Sequence, residues 1–170
     1  MTQLTSGAIL EQLKTLLHEA FEGAPGPWSY FLDQGPEHGL FGTLATVSAA
    51  EASREVAGSS VAAQVYHLAF SVLAAAGWLR GERVKHDWSQ SWVVRAVDEP
   101  AWARLRDNLQ AGYAELRRAV EERGAASAEE IGAAAGAVAH AAYHLGAIRQ
   151  KLAFLRGQSP GGAAAHPPPP

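Results

Sequence analysis

The chain contains no cysteine, which excludes disulfides, thiolate metal ligands and cysteine nucleophiles together. Any metal site or catalytic centre must then be built from His, Asp and Glu. Charge of one sign is also missing: the net charge is −3, with acids and bases interspersed. No basic face attracts nucleic acid or an anionic membrane, and no basic cluster is interleaved with aromatics. The opening residues, M-T-Q-L-T-S-G, lack the charged stretch and apolar run of a secretory signal, so a cytoplasmic protein is expected. Two uncharged runs, Val61–Leu79 and Ile131–Ile148, approach membrane-spanning length. Both are rich in Ala and Gly and carry Gln64, His67, Ser71, His140 and His144. Alanine contributes little to insertion and the polar residues oppose it, so both runs are read as buried helices of a soluble protein.

Four segments carry helical periodicity. The first runs from about Ser6 to Phe21, with Leu10, Leu13, Leu17 and Phe21 on its apolar stripe and Glu11, Gln12, Lys14 and Glu19 outside. E-G-A-P-G-P then stops it. The connection from Trp28 to Ser60 holds many apolar residues and packs over one end of the core. Within it Ser48-Ala-Ala-Glu51 is a capping box expected to open a short helix to about Ala57. The second long helix starts after Ser59-Ser60 and ends near Arg80, apolar on two opposite faces and therefore central. The third takes Asp98 as N-cap and Pro100 in its first turn, and ends at Arg123-Gly124. Ser127-Ala-Glu-Glu130 is a second capping box and opens the fourth. The short gap makes helices three and four expected antiparallel neighbours. These pieces predict an all-α four-helix bundle over residues 1–156. The composition of residues 157–170, G-Q-S-P-G-G-A-A-A-H-P-P-P-P, predicts a disordered tail. Fully extended, Gly81–Val97 reaches about 55 Å against about 30 Å for a 20-residue helix. Helices two and three are thus permitted to run parallel, joined by a crossover.

The chemistry concentrates in Val138–Leu152, V-A-H-A-A-Y-H-L-G-A-I-R-Q-K-L. His140 and His144 lie four residues apart and share a helix face, a spacing that lets two imidazoles converge on one ion. On spacing alone they are equally well two ordinary histidines, one buried and one solvated. His67 sits on an enclosed apolar face, where a satisfied core histidine is the commoner case, and His86 is the reserve ligand. Trp88, Trp92 and Tyr143 are candidate pocket walls, with packing as the competing role. Arg149 is expected to pair with a carboxylate, Asp87 being the candidate. His18 and His38 are expected to face solvent or cap loops.

His67, the D-W-S-Q-S-W stretch at Asp87–Trp92 and H-x-x-x-H-L-G-A-I-R-Q at His140–Gln150 together resemble the DinB-like superfamily of metal-binding four-helix bundles. The resemblance spans most of the chain from Leu4 to Leu155. It departs at Ala147, where many relatives carry glutamine. It implies an up-down-down-up helix order, frequent homodimers, and a divalent ion, commonly zinc or nickel, held by His67, His140 and His144. Three imidazoles form a catalytic type of ligand set, because a tetrahedral ion then keeps an open position. The resemblance further implies a metal-dependent transferase or hydrolase acting on a small electrophilic substrate, with a low-molecular-weight thiol as cosubstrate. The alternative is a non-catalytic metal-binding bundle with a stress-response or sensing role. Because a metal accepts only neutral imidazole, affinity is expected to fall below about pH 7, the unperturbed histidine pKa being about 6.5.

Overall fold

Helix caps and glycines divide the chain much as their chemistry demands. The structure, a computed structural model, describes residues 5–24 and 26–157. Among these it contains six α-helices, four of them long, and one two-stranded sheet. The tail expected from residue 157 lies, from residue 158 onward, outside the described residues, as does Pro25.

Helix α1 (Ser6–Glu22) is capped by Thr5, whose hydroxyl accepts the Ala8 N–H at 3.2 Å. It stops at Gly23, whose φ of +90° suits glycine and whose added Cβ would lie 2.5 Å from the Gly35 carbonyl oxygen. Glu19 is not outside the helix stripe as its polarity suggested. It is 1 % exposed, and its carboxylate accepts the backbone N–H groups of Tyr30, Phe31 and Leu32 at 2.9, 2.8 and 2.9 Å. The carboxylate is buried because it supplies acceptors to a loop that has no strand or helix partner.

The connection that follows is more structured than its composition suggested. It contains α2 (Leu40–Ala45), which the sequence reading did not anticipate, and α3 (Ala49–Ala52). The capping box at Ser48 and Glu51 is fully formed. However, α3 ends at Ala52 rather than near Ala57, because the chain turns into an antiparallel hairpin, β1 (Glu55–Val56) with β2 (Ser59–Ser60). Ala57 and Gly58 both have positive φ, +49° and +81°, as a two-residue hairpin turn of the mirror-image type requires.

Helix α4 (Val61–Leu79) takes Ser60 as N-cap, with Ser60 Oγ accepting the Ala63 N–H at 3.0 Å. Helix α5 (Glu99–Arg123) is capped by Asp98, and α6 (Ala128–Leu155) by Ser127. Between α4 and α5 the chain doubles back along α4. It leaves at Leu79 and returns to the start of α4, where Ser60 Oγ donates to the Arg95 carbonyl at 2.5 Å and Ser53 Oγ donates to that of Val97 at 3.0 Å. Helices α4 and α5 therefore run in the same direction, and α5 approaches closely at Gly112, where an added Cβ would lie 2.7 Å from Val72. Trp102, fully buried, ties the start of α5 to the α2–α3 turn by donating to the Val47 carbonyl at 2.7 Å.

Helix α4 packs on α5 along one side and on α6 along another, and α1 closes against α6 and α5. The consecutive helices α5 and α6 make no comparable contact, contrary to the neighbour relation expected from their short connection. A short loop fixes only the proximity of two ends, and the two apolar faces of α4 separate the helices beyond it. The second capping box is half formed. Ser127 caps, but the Glu130 carboxylate turns to Arg123, accepting from its Nε at 2.9 Å. By length and composition alone α4 and α6 are each apolar enough to cross a membrane. In this fold most of α4 is buried between its neighbours, while α6 is buried along one side.

Candidate metal centre

Helices α4 and α6 run antiparallel, which brings His67 opposite His140 and Gln64 opposite His144. The three imidazoles offer nitrogens that all lie within 4.8 Å of one another. His67 Nε2 and His140 Nε2 are 3.2 Å apart. Two nitrogens held by one tetrahedral ion at 2.0–2.1 Å stand about 3.3 Å apart, so this separation, which is also that of a hydrogen bond between the two rings, is compatible with a shared ion.

The surroundings decide which nitrogen two of the rings, His67 and His144, present. His67 Nδ1 lies 2.8 Å from Ser91 Oγ. That hydroxyl spends its own proton on the Trp88 carbonyl at 2.7 Å, so it accepts from His67 and leaves Nε2 with a free lone pair. His144 Nδ1 lies 2.5 Å from Gln64 Oε1, an acceptor only, which assigns the same tautomer. The Gln64 amide is itself oriented by donation to Ser59 Oγ at 2.9 Å. Outer partners of this kind hold ligand rings in register and raise their basicity. Ser91 and Gln64 were missed at the level of sequence. Gln64 stood out only as a polar residue three positions before His67, and Ser91 as one of two serines between Trp88 and Trp92.

Electrostatics favour neutral rings. Burial, helped by the nearby His140, lowers the His67 pKa, and burial lowers that of His140. Burial, with the His140 and His67 rings beside it, pushes His144 down to about 3. All three are uncharged at neutral pH, the form a cation requires.

The other sequence candidates fall around this cluster in different roles. Trp92 stacks on His67 with ring centroids 4.1 Å apart and planes at 15°. Trp88 lines a cavity of about 660 Å³ whose wall also includes Ser71 and His140. Tyr143 is exposed and meets the His144 ring edge-on at 5.1 Å, but it borders a separate cleft of about 560 Å³ on the Gln64 side. The expected Arg149–Asp87 pair does not form. Arg149 pairs with Asp33 at 3.3 Å, because Asp87 caps the 3-10 turn Trp88–Trp92 by accepting from Ser89 N and Oγ at 3.0 and 2.6 Å. His18 and His38 pair with Glu22 and Asp33 at 3.1 and 3.8 Å. His86 lies against Phe70 and Trp88 and lines the larger cavity instead of joining the three.

Replacing Gln64 or Ser91 by Ala should weaken zinc binding about 10- to 100-fold while leaving one ion per chain at saturation. Competition titration against a chromophoric chelator reads this. Unchanged affinity in both variants would show that the tautomers are not held by these partners. Comparison with protein-family models, with curated proteins and with solved structures finds no match to this chain.

Proposed function

We propose that the protein is a divalent-metal-binding four-helix bundle with up-down-down-up helix order, of the DinB-like kind, in which His67, His140 and His144 hold zinc or nickel. The carrying observation is the pair of buried acceptors, Ser91 Oγ and Gln64 Oε1, that turn the Nε2 lone pairs of His67 and His144 toward His140. The chemistry such an ion supplies when bound is Lewis acidity, which lowers the pKa of a water or thiol beside it. The chain's own part is to hold three neutral donors and to place a cavity beside one of them, His140. This supports a metal-dependent transferase or hydrolase acting on a small electrophilic substrate, with a low-molecular-weight thiol as cosubstrate. Cytoplasmic location and a homodimer belong to the same reading.

One observation favours the non-catalytic reading, a metal-binding bundle with a stress-response or sensing role. Among the described residues, the side chains that hydrogen-bond to the imidazoles from outside the three are Ser71, Ser91 and Gln64. None of these is a general acid or base. A turnover screen of thiol plus electrophile on zinc- and nickel-loaded protein separates the readings.

The founding test is elemental analysis of purified protein. About one divalent ion per chain is expected, lost when His140 and His144 are both replaced by Ala. Full metal retention by that double variant would sink the three-histidine centre.

A further inference from the structure

The larger cavity has a construction that specifies more than a small electrophile. It follows α4 from Leu68 to Trp78, a rise of about 15 Å, and opens beside His140 at one end. Its volume, about 660 Å³, is that of a site for one small molecule. Val72, Ala75 and Trp78 line it from α4, Val84 and Trp88 from the crossover, and Ala137 from α6. Three of its lining side chains, Leu73, Val84 and Trp88, are large, apolar and at least half exposed. Such side chains gathered around one opening, instead of scattered, mark a binding surface. The charged groups Glu82 and Lys85 also border the cavity but stand exposed to solvent.

Gly136 lines the same cavity from α6. It sits inside α6, where glycine costs about 1 kcal/mol relative to alanine. A Cβ added there would meet no atom within 4 Å. Gly132 and Gly146 of the same helix are equally free of neighbours and do not line the cavity, so Gly136 serves as the point from which a larger side chain can be built toward it.

We infer that this cavity receives the apolar tail of an amphiphilic substrate, an alkyl or acyl chain whose polar reacting head lies at the His140 end. The inference rests on the three-histidine centre for the placing of the head. The tail site itself rests on the cavity and its exposed apolar rim.

The test is calorimetric titration of zinc-loaded protein with n-alkanoates from acetate to decanoate, and with the n-alkanols of matching length. Each added methylene should tighten binding about three- to fourfold in both series until the cavity is filled, and alkanoates should bind more tightly than alkanols only while zinc is present. Gly136→Leu should abolish the dependence on length with metal content unchanged. Gly132→Leu is the control, because its Cβ also meets nothing and it does not line the cavity; it should behave like the parent protein. Affinity independent of chain length, on protein shown by elemental analysis to hold its zinc, would overturn the tail site and leave the metal centre standing. Length dependence that survives Gly136→Leu would place the tail elsewhere and overturn it too. A protein that takes up no zinc would overturn the metal centre and, with it, the placing of the head.

Discussion

Stripping the metal from loaded protein at pH 7.5 is expected to lower the melting temperature by roughly 5–15 °C. An ion that binds only the folded state at 100 to 1,000 times its dissociation constant stabilises it by about 2.7–4.1 kcal/mol. In a chain of this size each kcal/mol moves the midpoint by about 2–4 °C. The pH dependence carries a second signature. In the unfolded chain the three histidines take up protons near pH 6.5. In the folded chain their pKa values are lowered, that of His144 to about 3, by burial first and by one another second. The unfolded state thus binds more protons below about pH 6.5, and stability present above that pH is lost as pH falls through it. This loss occurs with or without the ion. Protons compete with metal for the folded site only below the lowered pKa values. The gap between loaded and chelated melting temperatures should therefore persist from pH 7.5 to about 6.5 and close further down. Unperturbed imidazoles would instead begin to lose it just below pH 7. Identical melting curves with and without chelator, on protein shown to be loaded, would mean that the three rings are core histidines only.

Replacing Glu19 by Ala should destabilise the protein by about 3–5 kcal/mol, a fall of roughly 6–20 °C in melting temperature. The side chain contributes no surface charge pair. It supplies both acceptors for three successive N–H groups, Oε1 for Phe31 and Leu32 and Oε2 for Tyr30. Without it those donors lose their partners, the Leu32 N–H in a buried position and those of Tyr30 and Phe31 in part-buried ones, a penalty above the net value of an ordinary hydrogen bond. Glu19→Gln should lie between, since the amide keeps the oxygen that serves Phe31 and Leu32 and presents an N–H to Tyr30. Thermal unfolding of the two variants checks the order. An Ala variant melting within a degree or two of the parent would show that water replaces the carboxylate.

The contrast between Glu19 and His144 explains which parts of this fold were legible in the sequence. The long helices announce themselves through apolar periodicity and through Ser60, Asp98 and Ser127, because caps and stripes are local patterns. The spacing of His140 and His144 is local too, so their shared face follows from helix geometry. That His67 meets them depends on how α4 and α6 pack, which no window of residues contains. Glu19 looked solvent-facing because its polarity is visible in the sequence while its loop partners, eleven to thirteen residues on, are not. The Ala57-Gly58 turn escaped notice because alanine rarely adopts a positive φ. Arg149 found Asp33 rather than Asp87 because Asp87 had a nearer use in capping its own turn. Adjacency of α5 and α6 failed for a related reason, since α4 offers apolar surface on both sides.

The crossover has a consequence in the order of assembly. His67 and His140 are separated by 73 positions, and Ser91, which orients His67, lies on the strap between α4 and α5. As the chain leaves the ribosome, His67 and its serine emerge long before α6, so the first ligand and its orienting hydroxyl are made while its two companions do not yet exist. Contacts this distant in sequence must overcome a large loop-closure entropy before they stabilise anything. The centre therefore closes only once α6 has docked, and an ion held there would mark the completed fold rather than template its beginning.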